Sequence, residues 1–114
     1  MPLPKFRQDM EANNAEALIK QAREASDLLK ALSHETRLLI LCILSEGEKS
    51  VSELEEILSM PQAAVSQQLA RLRFDRLVNT RREGRMIYYS VAGEEVSSVV
   101  ETLYDLFCRS VRSA

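Results

Sequence analysis

The amino-acid sequence predicts a mainly α fold carrying one small β-hairpin wing. Three observations predict it. Glycine and proline occur only three times each in 114 residues, while Leu, Glu, Ala and Arg, all good helix formers, are abundant. Apolar residues recur every three or four positions through most of the chain, the spacing of helices with one buried face. That period changes once, between Val78 and Val91, where β-branched and aromatic residues flank a glycine turn. With 46% hydrophobic and 28% charged residues, a chain of this length reads as one globular domain rather than a disordered or fibrous one. It is small enough that a partner chain would help to bury its apolar surface.

Residues 1–8 hold two prolines and no periodic pattern, and read as a flexible N-terminal arm before a single domain over 9–114. From about Asp9 to Leu32, Met10, Ala17, Leu18, Ala22, Ala25, Leu28, Leu29 and Leu32 make a long amphipathic helix. Its stripe is too long for so small a body to cover, so another chain is expected against it. Ser33 is placed to cap a second helix, with Thr36 and Arg37 in its first turn, that runs to about Ser45 and ends at Glu46-Gly47-Glu48. A short third helix starts from Ser50 or Ser52, sets Glu53 and Glu55 in its first turn, and turns Val51, Leu54, Ile57 and Leu58 inward.

Ser59-Met60-Pro61 is a tight turn, and proline suits a helix start because the N–H it lacks would have no partner there. The fourth helix, Gln62 to about Phe74, buries Val65, Leu69 and Leu72 and sets Ala63, Ser66, Gln67, Ala70 and Arg71 on the opposite face. Val78–Arg82 and Met86–Val91 pair as a hairpin across Glu83-Gly84-Arg85. A last amphipathic helix, from about Glu94 to Ser110, carries Val96, Val99, Val100, Leu103 and Phe107 on one stripe.

The net charge of −2 argues against a globally basic nucleic-acid binder, but the charge is unevenly spread. Between Arg71 and Arg85 six arginines (71, 73, 76, 81, 82 and 85) face two acids, a local excess of four positive charges. Between Glu46 and Glu56 five glutamates face one lysine, a local excess of four negative charges. A basic patch on an acidic body can still follow a phosphate backbone. Two short helices joined by a tight turn and followed by a basic hairpin make a winged helix-turn-helix, whose second helix enters the major groove of double-stranded DNA. Gln62, Ala63, Ser66 and Gln67 would then face base edges, where Gln can bond adenine in bidentate fashion, with Arg71 nearer the backbone. Arg81, Arg82 and Arg85 would ride on the wing against phosphates or in the minor groove. Taken alone, a helix with Gln and Ser outward is an ordinary solvated face, and hairpin arginines can simply guard a sheet edge. Their adjacency in sequence is what points to DNA.

Leu32-Ser33-His34-Glu35-Thr36-Arg37-Leu38, Val65-Ser66-Gln67-Gln68-Leu69 through Leu72-Arg73, Leu77-Val78 and Arg85-Met86-Ile87-Tyr88-Tyr89 resemble the ArsR family of winged-helix repressors. The resemblance covers roughly residues 20–110. It implies a homodimer built on the first and last helices that leaves its operator when an inducer is sensed. One departure is Pro61, which stands where the family usually has a capping Ser; losing a cap typically costs about 1 kcal/mol.

No apolar run is long enough to span a bilayer, the longest being Leu38–Leu44, and Met1–Met10 lacks the apolar core of a secretory signal. A reducing cytoplasm is therefore expected, where a disulfide is an event rather than a staple. The two cysteines, Cys42 and Cys108, are the obvious input. Metal is poorly served: the short third helix reads Ser50-Val51-Ser52-Glu53-Leu54 where metal-sensing relatives carry cysteines, and His34 is the only histidine. A zinc site needs three or four N or S ligands at short spacing, so no metal and no cofactor are expected. A two-thiol Cu(I) or arsenic site stays open. An enzyme is not expected, because Cys42 has no neighbouring base in sequence and His34 is two turns away.

Both thiols also fit as small core residues. Arg109 and Arg112 favour a thiolate at Cys108, while the C-terminal helix end opposes it. One cysteine in the second helix and one near the end of the last resemble the sulfide-responsive BigR and SqrR type branch of the family. That resemblance implies persulfide or polysulfide sensing through a Cys42–Cys108 polysulfide bridge, with sulfide-detoxification genes under control. A direct disulfide needs Cα atoms within about 7 Å, and each inserted sulfur adds up to about 2 Å of span. A pair held slightly too far apart would resist peroxide yet close on a tetrasulfide. A plain disulfide formed by general oxidants remains the alternative.

Overall fold

The structure is a computed structural model and describes residues 12–113. The arm expected over residues 1–8 and the first helix's expected start at 9–11 lie outside the described residues. The chain divides after Ala31 into two units. The first is α1 (Ala12–Leu32), a helix of 21 residues on which Leu18, Ile19 and Leu29 are exposed.

The second unit begins at Leu32 and contains α2 (Glu35–Leu44), β1 (Lys49–Ser50), α3 (Val51–Leu58), α4 (Gln62–Phe74), β2 (Val78–Glu83), β3 (Met86–Val91), α5 (Glu94–Phe107) and α6 (Arg109–Ser113). Helix α2 is its axis. Its run of Leu and Ile places Ile40 and Leu41 at 0% exposure, with Cys42, Ile43 and Leu44 beside them. Around it close Leu54 from α3, Val65, Leu69 and Leu72 from α4, and Val100 from α5, all fully buried. Leu54 is thus the most buried residue of the inward set expected in α3, and all three expected α4 residues lie in the core. Burying each such side chain stabilises the fold by about 1.5–3 kcal/mol.

Local signals account for most boundaries. Ser50 and Glu53 form a reciprocal capping box: the Glu53 N–H donates to Ser50 Oγ at 3.2 Å and the Ser50 N–H donates to Glu53 Oε1 at 3.0 Å. Helix α4 ends in a Schellman motif, with the Leu77 N–H on the Leu72 carbonyl at 2.9 Å and the Arg76 N–H on the Arg73 carbonyl at 3.0 Å. The hairpin pairs β2 with β3 from Val78↔Val91 to Glu83↔Met86, and Gly84 takes φ +61° in its turn.

Four details depart from the sequence reading. His34, not Ser33, occupies the N-cap of α2, and it makes no side-chain cap bond; its carbonyl takes the Leu38 N–H instead. Strand β1, absent from the reading, adds to the edge of β3 through Lys49↔Tyr89 and Ser50↔Tyr88, giving sheet order β1-β3-β2. Two polar residues carry no strand pattern, and it is the open edge of β3 that draws them in. The last helix is not continuous to Ser110: Cys108, at φ −114° and ψ −31°, separates α5 from α6. Finally, Phe107 sits outside the core at 72% exposure, beside Leu106 and Val111, which are also exposed.

Candidate functional site

The structure gathers the candidate residues into two places, one exposed and one largely covered. The exposed one is the outer face of α4 together with the hairpin. Gln62, Ala63, Ser66, Gln67, Ala70 and Arg71 are all exposed, because Val65, Leu69 and Leu72 fix the opposite side of the helix in the core. Pro61 is the N-cap and offers no side-chain acceptor; its carbonyl alone takes the first helical bond, from Val65 at 3.1 Å. A groove of about 700 Å³ runs between the start of α2 and α4, lined by His34, Thr36, Arg37, Gln67 and Arg71 among others.

The arginines of this face are not equivalent. Arg71 pairs with Asp75 one turn on, at 3.3 Å, and the same carboxylate oxygen lies 3.5 Å from the buried Arg37 of α2. Arg81 is held on three sides. Its Nε donates to Glu48 at 3.1 Å while Nη2 reaches the other oxygen of that carboxylate, Nη1 donates to Glu83 at 2.8 Å, and the guanidinium lies 4.8 Å from the Tyr88 ring centroid. Glu48 is pulled below its ordinary carboxylate pKa by the Arg81 hydrogen bonds. Arg82 and Arg85 are exposed, and neither is ion-paired among the described residues. The acidic run and the basic wing, noted separately in the sequence, therefore touch: Glu48 belongs to the one and Arg81 stands in the other.

The covered place is the thiol pair. Cys42 is 3% exposed on α2, and Cys108, at the α5–α6 break, is half-buried. The packing of α5 on α2 brings the two near enough, across 66 residues of sequence, for Cys108 to act on the Cys42 thiol. Burial first, and the neighbouring Cys108 second, push the Cys42 thiol from 9.0 up to about 11. Cys42 is therefore protonated near neutrality, and Cys108 is the sulfur a reagent meets first. The two arginines expected to favour a Cys108 thiolate have other partners. Arg109 Nε donates to Asp105 at 2.9 Å, with its guanidinium 5.6 Å from the Tyr104 ring centroid, and Arg112 reaches across to Glu46.

Glu46, Tyr104 and Arg112 form a network that the sequence reading did not single out. Arg112 donates to both oxygens of Glu46, from Nε at 2.7 Å and from Nη2 at 2.9 Å, and the Tyr104 hydroxyl donates to the same carboxylate at 2.7 Å. Lys49 stands 3.8 Å away. Arg112 foremost, helped by Tyr104 and Lys49, holds the Glu46 carboxyl down from 4.5 to about 2. The available signal was spacing: Glu46 and Arg112 each follow a cysteine by one helical turn. Among the described residues no group of three or more His, Cys, Asp or Glu side chains could hold a metal ion, and no helix is long and apolar enough to cross a membrane. His34 lies exposed at its helix start.

Comparison with known proteins agrees with this architecture. The profile of the family described as "Bacterial regulatory protein, arsR family" matches residues 34–80. The transcriptional activator HlyU of Vibrio cholerae is 43% identical over 107 residues, spanning 94% of this chain and 92% of that protein. The biofilm growth-associated repressor of Agrobacterium fabrum is 45% identical over 92 residues, spanning 81% of this chain and 79% of the relative. The crystal structure of the transcriptional repressor BigR from Xylella fastidiosa superposes with a TM-score of 0.78 at 42% identity, covering 84% of this chain and 95% of that one. By sequence and by fold, the chain belongs to the ArsR family of bacterial regulatory proteins, which are winged-helix DNA-binding transcription regulators and not enzymes.

Proposed function

We propose that this protein is a cytoplasmic, homodimeric repressor whose hold on its operator is released when Cys42 and Cys108 are joined by sulfur from a persulfide or polysulfide. The observation that carries this reading is the approach of two thiols that sequence spacing alone would not bring together, close enough for Cys108 to raise the Cys42 pKa. In it, α4 enters the major groove, with Gln62, Ala63, Ser66 and Gln67 at base edges and Arg71 beside the backbone. Arg82 and Arg85 contact phosphate, and Arg81 joins them when it leaves its carboxylates. The dimer forms through the first and last helices, where Leu18, Ile19 and Leu29 on α1 and Leu106, Phe107 and Val111 on α5 and α6 are exposed. The regulated genes would be those that detoxify sulfide, as the resemblance of the two cysteine positions to the BigR and SqrR type branch implies.

The chemistry follows from the unequal thiols. Cys108 as thiolate displaces one sulfur-bearing leaving group from a polysulfide R–Sₙ–R, and keeps part of the chain. Cys42 then gives up its proton and displaces the remaining R–S⁻, so the two cysteines are linked through the sulfurs left between them. The two thiols are oxidised by two electrons, the polysulfide is reduced, and both protons end on leaving thiolates. A disulfide bond of about 2.05 Å is shorter than any contact between two free thiols, so direct closure draws the α5–α6 junction inward more than a bridge lengthened by inserted sulfurs does. Either displacement alters helices that set the recognition-helix spacing, roughly 34 Å for successive major grooves.

The nearness of the thiols also favours a second reading, a plain disulfide formed by general oxidants. Intact mass spectrometry of the reduced protein after a polysulfide, run beside peroxide and a gel shift, separates the two. Two added sulfurs less two hydrogens, with loss of DNA binding under polysulfide alone, supports the first. Loss of two hydrogens under both reagents supports the second. Intact thiols under both would remove the cysteines from the mechanism.

A further inference from the structure

Glu46 lies one turn beyond Cys42 and Arg112 one turn beyond Cys108, so the ion pair and the thiol pair are two rungs between the same two segments, each spanning 66 residues. Tyr104, one turn before Cys108, reaches the same carboxylate. The half-buried thiol is thus bracketed on both sides by residues fastened to Glu46, whose side chain is itself only 18% exposed. Within this stretch the Cys108 N–H donates to the Tyr104 carbonyl at 2.8 Å and Arg109 pairs with Asp105, but neither bond ties it to α2. The helix is broken at Cys108, α6 is five residues long, and Leu106, Phe107 and Val111 face outward. Arginine in a two-point grip on a carboxylate fixes direction as well as distance, which a lysine at the same place would not.

We propose that Glu46 is a positioning residue for the thiol pair: by gripping Arg112 and Tyr104 it holds Cys108 against Cys42, and so sets how fast the two sulfurs are bridged and how many sulfurs fit between them. It touches neither sulfur and acts only through the segment that carries Cys108. The proposal rests on the bridge described above for its biological meaning, but the geometry can be tested with a reagent that has no connection to sulfide.

Phenylarsine oxide is such a probe. Its As=O group condenses with two neighbouring thiols to give one arsenic held by two sulfurs and one water, with no change of oxidation state. Wild-type protein is expected to take up one arsenic per chain through both cysteines, an adduct lost in Cys42→Ser. In Glu46→Gln the second sulfur is expected to close about ten- to a hundredfold more slowly, as small misplacements of reacting groups cost that much. Alkylation of Cys108 by iodoacetamide should stay near the wild-type rate, a readout that general loosening of the fold would move. Arg112→Lys should fall between wild type and Arg112→Ala. Closure in Glu46→Gln as fast as in wild type overturns the proposal. If Glu46→Gln fails to fold, Tyr104→Phe and Arg112→Lys carry the same test, and wild-type closure rates in both overturn it equally.

A polysulfide arm separates this inference from the reading it rests on. Wild type that captures arsenic but gains no sulfur defeats the polysulfide function and leaves the positioning role standing. Where wild type does gain sulfur, Glu46→Gln should give a broader spread of bridge masses. An unchanged spread counts against the proposal.

Discussion

The α4–hairpin face and the thiol pocket lie in one small body but are built on opposed plans. On the face, every candidate side chain is exposed and two of its arginines are already met by carboxylates, Arg71 by Asp75 and Arg81 by Glu48 and Glu83. In the pocket, the key group is nearly removed from water and uncharged, and its charged neighbours stand one turn away. Exposed ion pairs stabilise a fold little and exchange partners readily, so an arginine can leave a carboxylate for a phosphate at small cost. A buried protonated thiol behaves in the opposite way. It is slow to react until a sulfur already fixed on its neighbour is delivered beside it. One region leaves its charges open to exchange; the other shields its reactive group from water.

The largest effect should come from the pocket. Cys42→Ser and Cys108→Ser are each expected to abolish release by polysulfide while leaving DNA affinity of the reduced protein near wild type, as read by gel shift. If either variant still lets go of DNA, a single modified thiol suffices and the two-sulfur bridge is not the switch. On the other region the expected change is graded. Arg82→Ala and Arg85→Ala should each lower the slope of log affinity against log salt by about one. Arg81→Ala should lower it by less, because Arg81 is already engaged with Glu48, Glu83 and the Tyr88 ring. An equal drop for Arg81 would mean that it trades both carboxylates for phosphate on binding, which sharpens the contrast rather than removing it.

The two regions were also unequally legible. The outer face of α4 could be read because helical periodicity settles both sides of the helix at once: naming Val65, Leu69 and Leu72 as inward names Ser66 and Gln67 as outward. The hairpin followed from a change of period around Gly84. The pocket could not be read that way, since nothing local says that residue 108 returns to residue 42; tertiary packing of α5 on α2 decides it. The same holds for β1, whose Lys49-Ser50 has no strand pattern and is recruited by β3, and for Phe107, whose periodicity is right for burial although this chain alone does not cover it. The pairing of Glu48 with Arg81 falls between these cases. Both charge runs were visible, and only the fold could say that they meet.

A smaller effect tests the pocket's clamp by acid. Glu46 sits at about 2 in the folded protein against 4.5 for an ordinary glutamate, so its contribution to stability is fully present above about pH 4.5 and is lost as the pH falls toward 2. In urea unfolding, wild type should exceed Glu46→Gln at pH 6 and the gap should close by pH 2. A gap of constant size would mean that the glutamine disturbs packing rather than the ion pair.

The smallest effect sharpens the other region. Arg76 occupies the left-handed position of the Schellman motif that ends α4, at φ +61°, where glycine has no Cβ penalty and most other residues do. Arg76→Gly relieves that strain but gives the unfolded chain more freedom, so the net gain should be about 0.5 kcal/mol, a rise in Tm of a few degrees at fixed protein concentration. The informative reading is DNA affinity in the same variant. An arginine kept against its backbone preference at the end of α4 is most easily understood if its charge is used there. A salt slope lower by about one in Arg76→Gly would add Arg76 to the arginines proposed to face phosphate; an unchanged slope with the higher Tm would leave it as strain without a partner on DNA.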